Sequence, residues 1–161
     1  MLIELTTPDL VRAQFWVAGI VGGAATLEDL MRRSISNWLS LAALAAGLVF
    51  QALAGGWGGL GQSLLGAVGG FGIFLIFYLL GGMGGGDVKL MAGFGALLGV
   101  SRVLEAAFWV ALCGGLLAAL VLGLAAARRV WRSTNQPRSP LVIPYAPAIA
   151  LGVWLTLLSS K

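Results

Sequence analysis

Histidine is absent from the 161-residue sequence, and cysteine occurs once. Those absences exclude the commonest hydrolytic machineries. A Ser–His or Cys–His nucleophile system has no base to work with. A zinc site would lack its usual ligands and no CxxC pair exists, so no metal is expected. Cys113 lies inside the apolar run FWVALCGGLLAAL and has no second cysteine for an internal disulfide. Acids are scarce too, and Glu4, Asp9, Glu28, Asp29, Asp87 and Glu105 are the whole supply. Charged residues make up 10% of the chain, against about 25% in an ordinary soluble domain.

Apolar residues fill the space that charge leaves. They make up 59% of the chain, and mean hydropathy is +0.96. A hydrocarbon core ~30 Å thick takes roughly 20 apolar residues per helical crossing, so this length allows about six crossings and no sizeable soluble domain. The composition predicts an all-α, polytopic integral membrane protein with a single membrane-embedded domain over residues 1–161. The six apolar segments fall at about 12–28, 38–54, 63–82, 88–100, 103–127 and 141–158. Gly55-Gly56-Trp57-Gly58-Gly59 reads as the turn between the second and third. The polar stretch ARRVWRSTNQPRSP, with Pro137 and Pro140, reads as a loop before the sixth. Pro144 and Pro147 predict irregular or kinked first turns in that last segment. Among the 25 glycines, Gly66/Gly70, Gly95/Gly99 and Ala111/Gly115 have the small-xxx-small spacing that lets membrane helices pack closely.

Net charge is +4. In a soluble chain this would suggest nucleic acid, but here the basic residues cluster between apolar runs, so membrane orientation is the better reading and no nucleic-acid partner is expected. A cleavable signal peptide is not expected, because residues 1–12 set Glu4 and Asp9 against Arg12. With the N-terminus outside and six crossings, the inner loops carry Arg32, Arg33, Lys89, Arg128, Arg129, Arg132 and Arg138. The outer regions then hold Arg12, Arg102 and Lys161. The positive-inside rule favours this arrangement, with both termini outside. The fourth segment, between Asp87 and Arg102, is short for a crossing. It is kept as one, shielded by neighbouring helices, because a re-entrant segment would put the arginine-rich loop outside.

Asp29 closes the first segment and Asp87 opens the fourth, so two crossings separate them and both reach the cytoplasmic face. Carboxylates at such positions are costly and point to function. Each also has a plainer reading: Asp29 can snorkel to the interface beside Arg32 and Arg33, and Asp87 can cap its helix. Glu28 points about 100° away from Asp29 and is expected to be solvated. Glu4, Asp9 and Glu105 read as tail or interface charges. Gly84-Gly85-Gly86-Asp87 is a GxGD sequence entering a membrane helix. Glycines there allow positive φ and close approach of another chain, as an extended peptide beside a carboxylate would need.

Three segments then resemble one family. Asp29-Leu-Met-Arg-Arg-Ser-Ile-Ser-Asn37 resembles the D-x5-I-P-N segment of type IV prepilin peptidases, with Ser36 where that family usually has proline. Gly84-Gly-Gly-Asp-Val-Lys-Leu90 resembles their G-x-G-D-x-K-L segment, and Pro144-Tyr-Ala-Pro147 with the residues after it resembles their C-terminal P-[YF]-[AG]-P segment. The resemblance implies an integral-membrane aspartic endopeptidase of the bacterial inner membrane. Such an enzyme cuts the leader from prepilins and pseudopilins at the cytoplasmic face, typically after a glycine, and needs no cofactor. With one cysteine and no cysteine-rich insert, the chain is similar to the short peptidase-only branch found in tad/Flp-type pilus systems, without a methyltransferase domain.

The resemblance makes Asp29 and Asp87 the catalytic pair, with Gly84, Gly86, Lys89 and Asn37 as supporting residues. Two close carboxylates do not both ionise cheaply, so one activates water while the other, protonated, hydrogen-bonds the scissile carbonyl. Asp87, at a helix N-terminus, is the expected base and Asp29 the expected acid. Lys89 would offset carboxylate charge, contact an acidic group of the prepilin, or anchor at the interface. Asn37 would brace the loop after Asp29. Arg32 and Arg33 would set topology or meet lipid phosphates. The alternatives are a proton- or ion-coupled transporter using both aspartates as relays, a non-enzymatic pilus or secretion assembly subunit, and another GxGD membrane protease of the presenilin-like group. Both acids near one face and no visible internal repeat disfavour the transporter. The lack of a Tyr-Asp motif, with Leu27 before Glu28-Asp29, disfavours the last.

Overall fold

The computed structural model describes residues 7–131 and 144–159. Among them the chain is helical throughout: α1 Thr7–Arg32, α2 Asn37–Leu79, α3 Gly85–Leu98, α4 Val100–Trp131 and α5 Ala146–Ser159. The polar stretch anticipated as a loop from Ala127 starts instead as helix, because α4 continues to Trp131; the rest of it, with Arg132, Pro137, Arg138 and Pro140, lies outside the described residues. So do Glu4 and Lys161.

Helix α2 covers two of the anticipated segments because it is broken once. Gly56 has φ 56 and ψ −136, far from helical values. Positive φ is open to glycine without steric penalty, and the glycine-rich turn predicted there is where the chain reverses. The residues on either side form two arms, 37–55 and 57–79, and both lie along α3. The first arm runs parallel to α3, with Ala43 against Gly93 and Gly47 against Ala96 and Leu97. The second runs antiparallel, with Gly66 against Gly95 and Gly99, and Gly70 against Met91. Helix α3 is therefore enclosed, and Val88, Leu90, Met91, Phe94, Leu97 and Leu98 are all buried.

Glycine makes this enclosure possible. A Cβ at Gly66 would collide with the Gly95 carbonyl oxygen, and one at Gly47 would stand 2.5 Å from the Leu97 nitrogen. The predicted pairs Gly66/Gly70 and Gly95/Gly99 thus form the seam, whereas Gly115 has open space around it. On the other side, α5 packs against α4, where Gly152 admits the Val110 backbone. It also packs against α1, where Gly22 meets Ala150.

Helix α3 ends among other helices rather than in water, and its last carbonyls need partners. Three polar side chains supply them. Gln14 of α1 donates to the Leu97 carbonyl at 2.8 Å, Gln51 donates to the same oxygen at 3.1 Å, and Ser63 donates to the Ala96 carbonyl at 2.9 Å. At the far end of α4 and α5, Ser159 donates to Glu105.

The outer surface is apolar. Trp16, Ile20, Leu53, Val68, Leu104 and Phe108 are all exposed, as expected where lipid replaces water. Among the described residues, Asn37–Leu79 and Val100–Ala127 are long and apolar enough to cross a membrane. Helix α5 starts at Ala146, later than expected. Pro147 falls in its first turn, where a missing N–H costs nothing, so the anticipated kink is not needed.

Gly66→Ala is expected to lower thermal stability in detergent by about 1–3 kcal/mol through overpacking. Gly72, which faces open space, should respond oppositely, with Gly72→Ala gaining up to about 1 kcal/mol of helix propensity.

Candidate active site

The end of α1, the start of α2, the start of α3 and the start of α5 meet at one end of the bundle. Asp29 and Asp87 stand there, each 7% exposed. They are near enough for the charge of Asp29 to act on Asp87. Asp29 of α1 and Asp87 of α3 are thus brought to one end of the bundle.

Each carboxylate spends one oxygen on a backbone N–H. Asp87 Oδ2 accepts from the Gly84 nitrogen at 3.1 Å, closing the first turn of α3. Asp29 Oδ2 accepts from the Ala146 nitrogen, also at 3.1 Å, at the first residue of α5. Asp87 is not the N-cap, which is Gly84; it caps α3 from the third helical position, and the bond leaves Oδ1 available. Asp29 does not snorkel beside the arginines. It is buried and caps a helix that begins far along the chain. The Pro144-Tyr145-Ala146-Pro147 segment takes its place in the site through this bond, a role that the motif alone did not specify.

The glycines before Asp87 act by closeness rather than by left-handed backbone. Gly84 has φ −80, and the glycines with positive φ are Gly56, Gly81 and Gly99. A Cβ on Gly84 would lie 3.3 Å from Asp87 Oδ2, and one on Gly86 would lie 3.1 Å from the Ile35 Cβ. Gly86 thus lets the 33–36 loop approach α3.

That loop is held differently from the expectation. Asn37 does not brace it. Asn37 is the first residue of α2, and its Oδ1 accepts from Lys89 Nζ at 2.8 Å. The brace is Glu28, which is half-buried rather than solvated and whose Oε2 accepts from the Ser36 nitrogen at 3.0 Å. Ser36 is also the N-cap of α2, its Oγ accepting from the Leu39 nitrogen at 3.4 Å. Its φ of −68 is the value a proline would impose, so the departure from the family pattern keeps the turn. Proline has no N–H, however, so the bond to Glu28 depends on the serine. Arg33 closes α1 with φ 52, and its nitrogen donates to the Asp29 carbonyl at 2.8 Å.

Lys89 follows Asp87 by two residues, or roughly 200° around the helix. It points away from the carboxylates and forms no ion pair with a described acid. No group of three potential metal ligands occurs among the described residues. Beside the site, an apolar cavity of about 190 Å³ opens between Phe74, Phe77, Met83, Val110, Gly114 and Tyr145.

The model of the type IV leader peptidase family matches residues 16–119, a stretch that contains both aspartates. The chain belongs to that family. The prepilin leader peptidase/N-methyltransferase of Aeromonas hydrophila is 33% identical over 144 residues, 84% of this chain and 45% of that protein. The protein of the same description from Bacillus subtilis is 40% identical over 91 residues, 55% of this chain and 33% of its own length. The one from Neisseria gonorrhoeae is 30% identical over 173 residues, 96% and 55% respectively. The chain thus spans about half the length of the curated relatives it matches. No solved structure matches it.

Because Asn can accept the same N–H that Asp87 accepts, Asp87→Asn should retain the α3 cap. Asp87→Ala should lose about 1 kcal/mol more in detergent unfolding. Glu28→Ala should speed amide exchange at Ser36 while leaving the rest of α1 protected.

Proposed function

We propose that this chain is an aspartic endopeptidase that removes the leader from type IV prepilins or pseudopilins, with Asp29 and Asp87 as its catalytic pair. The observation that carries the reading is the meeting of these two buried carboxylates at one end of the bundle, each with one oxygen bonded to a helix-start N–H. Family membership supports the reaction class, and the relatives' names supply the substrate.

In this reading one carboxylate takes a proton from water as the water oxygen bonds to the scissile carbonyl carbon. The other carboxyl, protonated, hydrogen-bonds the carbonyl oxygen and then donates its proton to the leaving amine. Both aspartates accept from N–H groups at helix starts, so nearness to a helix N-terminus no longer separates base from acid. Gly84 and Gly86 let Asp87 and the 33–36 loop lie close against the start of α3, which holds the proposed site together.

The membrane arrangement belongs to the same proposal. Six crossings are made by α1, the two arms of α2, α3, α4 and α5, with both termini outside and the aspartates at the cytoplasmic face of a bacterial inner membrane. At 14 residues, α3 is about 21 Å long. It works as a crossing because the two arms of α2 cover it.

Co-expression with a candidate prepilin, with leader loss followed by mass, tests the reading. Asp29→Asn and Asp87→Asn are each expected to slow cleavage by about 10²–10⁴-fold while the protein still inserts. Wild-type processing by either variant would sink the pair. Aspartate-dependent ion flux in proteoliposomes without cleavage would favour the transporter.

A further inference from the structure

Lys89 and Asn37 form a second polar feature that the aspartate pair does not use. They stand on the first turns of α3 and α2 and are joined at 2.8 Å. Between them a groove of about 330 Å³ runs down the bundle. Asn37, Ser40 and Lys89 line its mouth, and Leu41, Leu44 and Phe71 line the rest.

Ser40 is the informative residue. It is 6% exposed, and its Oγ is the one buried side-chain polar atom without a hydrogen-bond partner among the described residues. Ser40 follows Asn37 by three positions, which places both on one helix face. Ser40 lines the groove together with Asn37 and Lys89, and its unpartnered hydroxyl lies just beneath the groove surface. The remaining donors can be counted. Lys89 has two N–H bonds beyond the one given to Asn37, the Asn37 amide has two, and Ser40 has one. No carboxylate lines the groove. An ammonium with spare N–H bonds beside an amide and a hydroxyl, with no carboxylate among them, favours an acceptor-rich, anionic ligand, and a phosphodiester fits.

The apolar walls narrow the source. Leu41 and Leu44 lie one and two turns below Asn37, and Leu41 and Phe71 remain exposed on the outer surface. A free phosphate has no use for such walls, whereas an acyl chain does.

We infer that the Lys89–Asn37–Ser40 groove is a binding site for an anionic phospholipid, with the headgroup phosphate at the three polar side chains and an acyl chain along Leu41, Leu44 and Phe71. The site needs the chain to be bilayer-embedded, and it stands independently of the peptidase reading. It faces away from Asp87, at the same end of the bundle.

The test uses the full chain in neutral detergent, with retained lipid counted by native mass spectrometry after titration with phosphatidylglycerol or phosphatidylcholine. Wild type should retain phosphatidylglycerol about five- to tenfold better, the scale of one lysine at an anionic surface. Lys89→Met should erase that preference. Ser40→Ala, a minimal change, should weaken it severalfold. Arg12→Gln removes the same charge from an exposed site at the other end of α1 and should change nothing. Equal retention of both lipids by wild type would overturn the proposal. So would unchanged preference in both Lys89→Met and Ser40→Ala, or displacement of the lipid by inorganic phosphate alone. Loss of prepilin cleavage in Lys89→Met with lipid retention intact would assign the ammonium to the substrate instead.

Discussion

A backbone N–H or C=O left unpaired in hydrocarbon costs several kcal/mol, and α3 is where this protein meets that constraint most severely. The helix has 14 residues, and its flanks and its carbonyl end lie among other helices. Its carbonyl end is closed by Gln14, Gln51 and Ser63 from helices around it. Its amide end is closed by Asp87. The flanks are sealed by the two arms of α2, which reach it only because glycines meet glycines along the seam. The carboxylate assigned to the proposed pair is thus also the group that caps the start of α3.

The same economy governs Asp29. A buried carboxylate needs a donor, and the start of α5 needs an acceptor. The bond to the Ala146 nitrogen serves both. Around the pair, Glu28 and Ser36 fix the loop that leads into α2, and Gly86 lets that loop lie against α3. The polar contacts of this end are few, and most join a side chain to backbone. A molecule with 10% charged residues satisfies its buried polar groups mainly in that way.

Much of this was legible in the sequence because the signals were strong and local. Run length and hydropathy gave an all-helical membrane architecture. The glycine cluster gave the reversal at Gly56, and counting crossings brought Asp29 and Asp87 to one face. What stayed hidden were bonds whose partners are generic backbone atoms. Nothing in the residue letters says that Gln14 and Gln51 share one carbonyl, although polar residues within apolar segments marked themselves as needing partners. Glu28 was read as solvated from its helix angle alone. Its true partner is an N–H that exists because residue 36 is not proline. Arg33 at φ 52 ends α1 in a conformation usually given to glycine or asparagine, so sequence offered no warning. Lys89 was read against its neighbour in the chain, when two residues along a helix lie on opposite sides.

The Asp29–Ala146 bond joins residues 117 positions apart. The arms of α2 and α3, by contrast, are contiguous in the chain and enclose one another along the glycine seams, with Gln14 of α1 adding one bond at the α3 carbonyl end. During synthesis that central unit can close early, while Asp29 waits for the start of α5 to emerge. Until then the carboxylate has no amide to settle on, and the two aspartates lack the helix that fixes one of them. Assembly order therefore delays the completed site until most of the chain has been made.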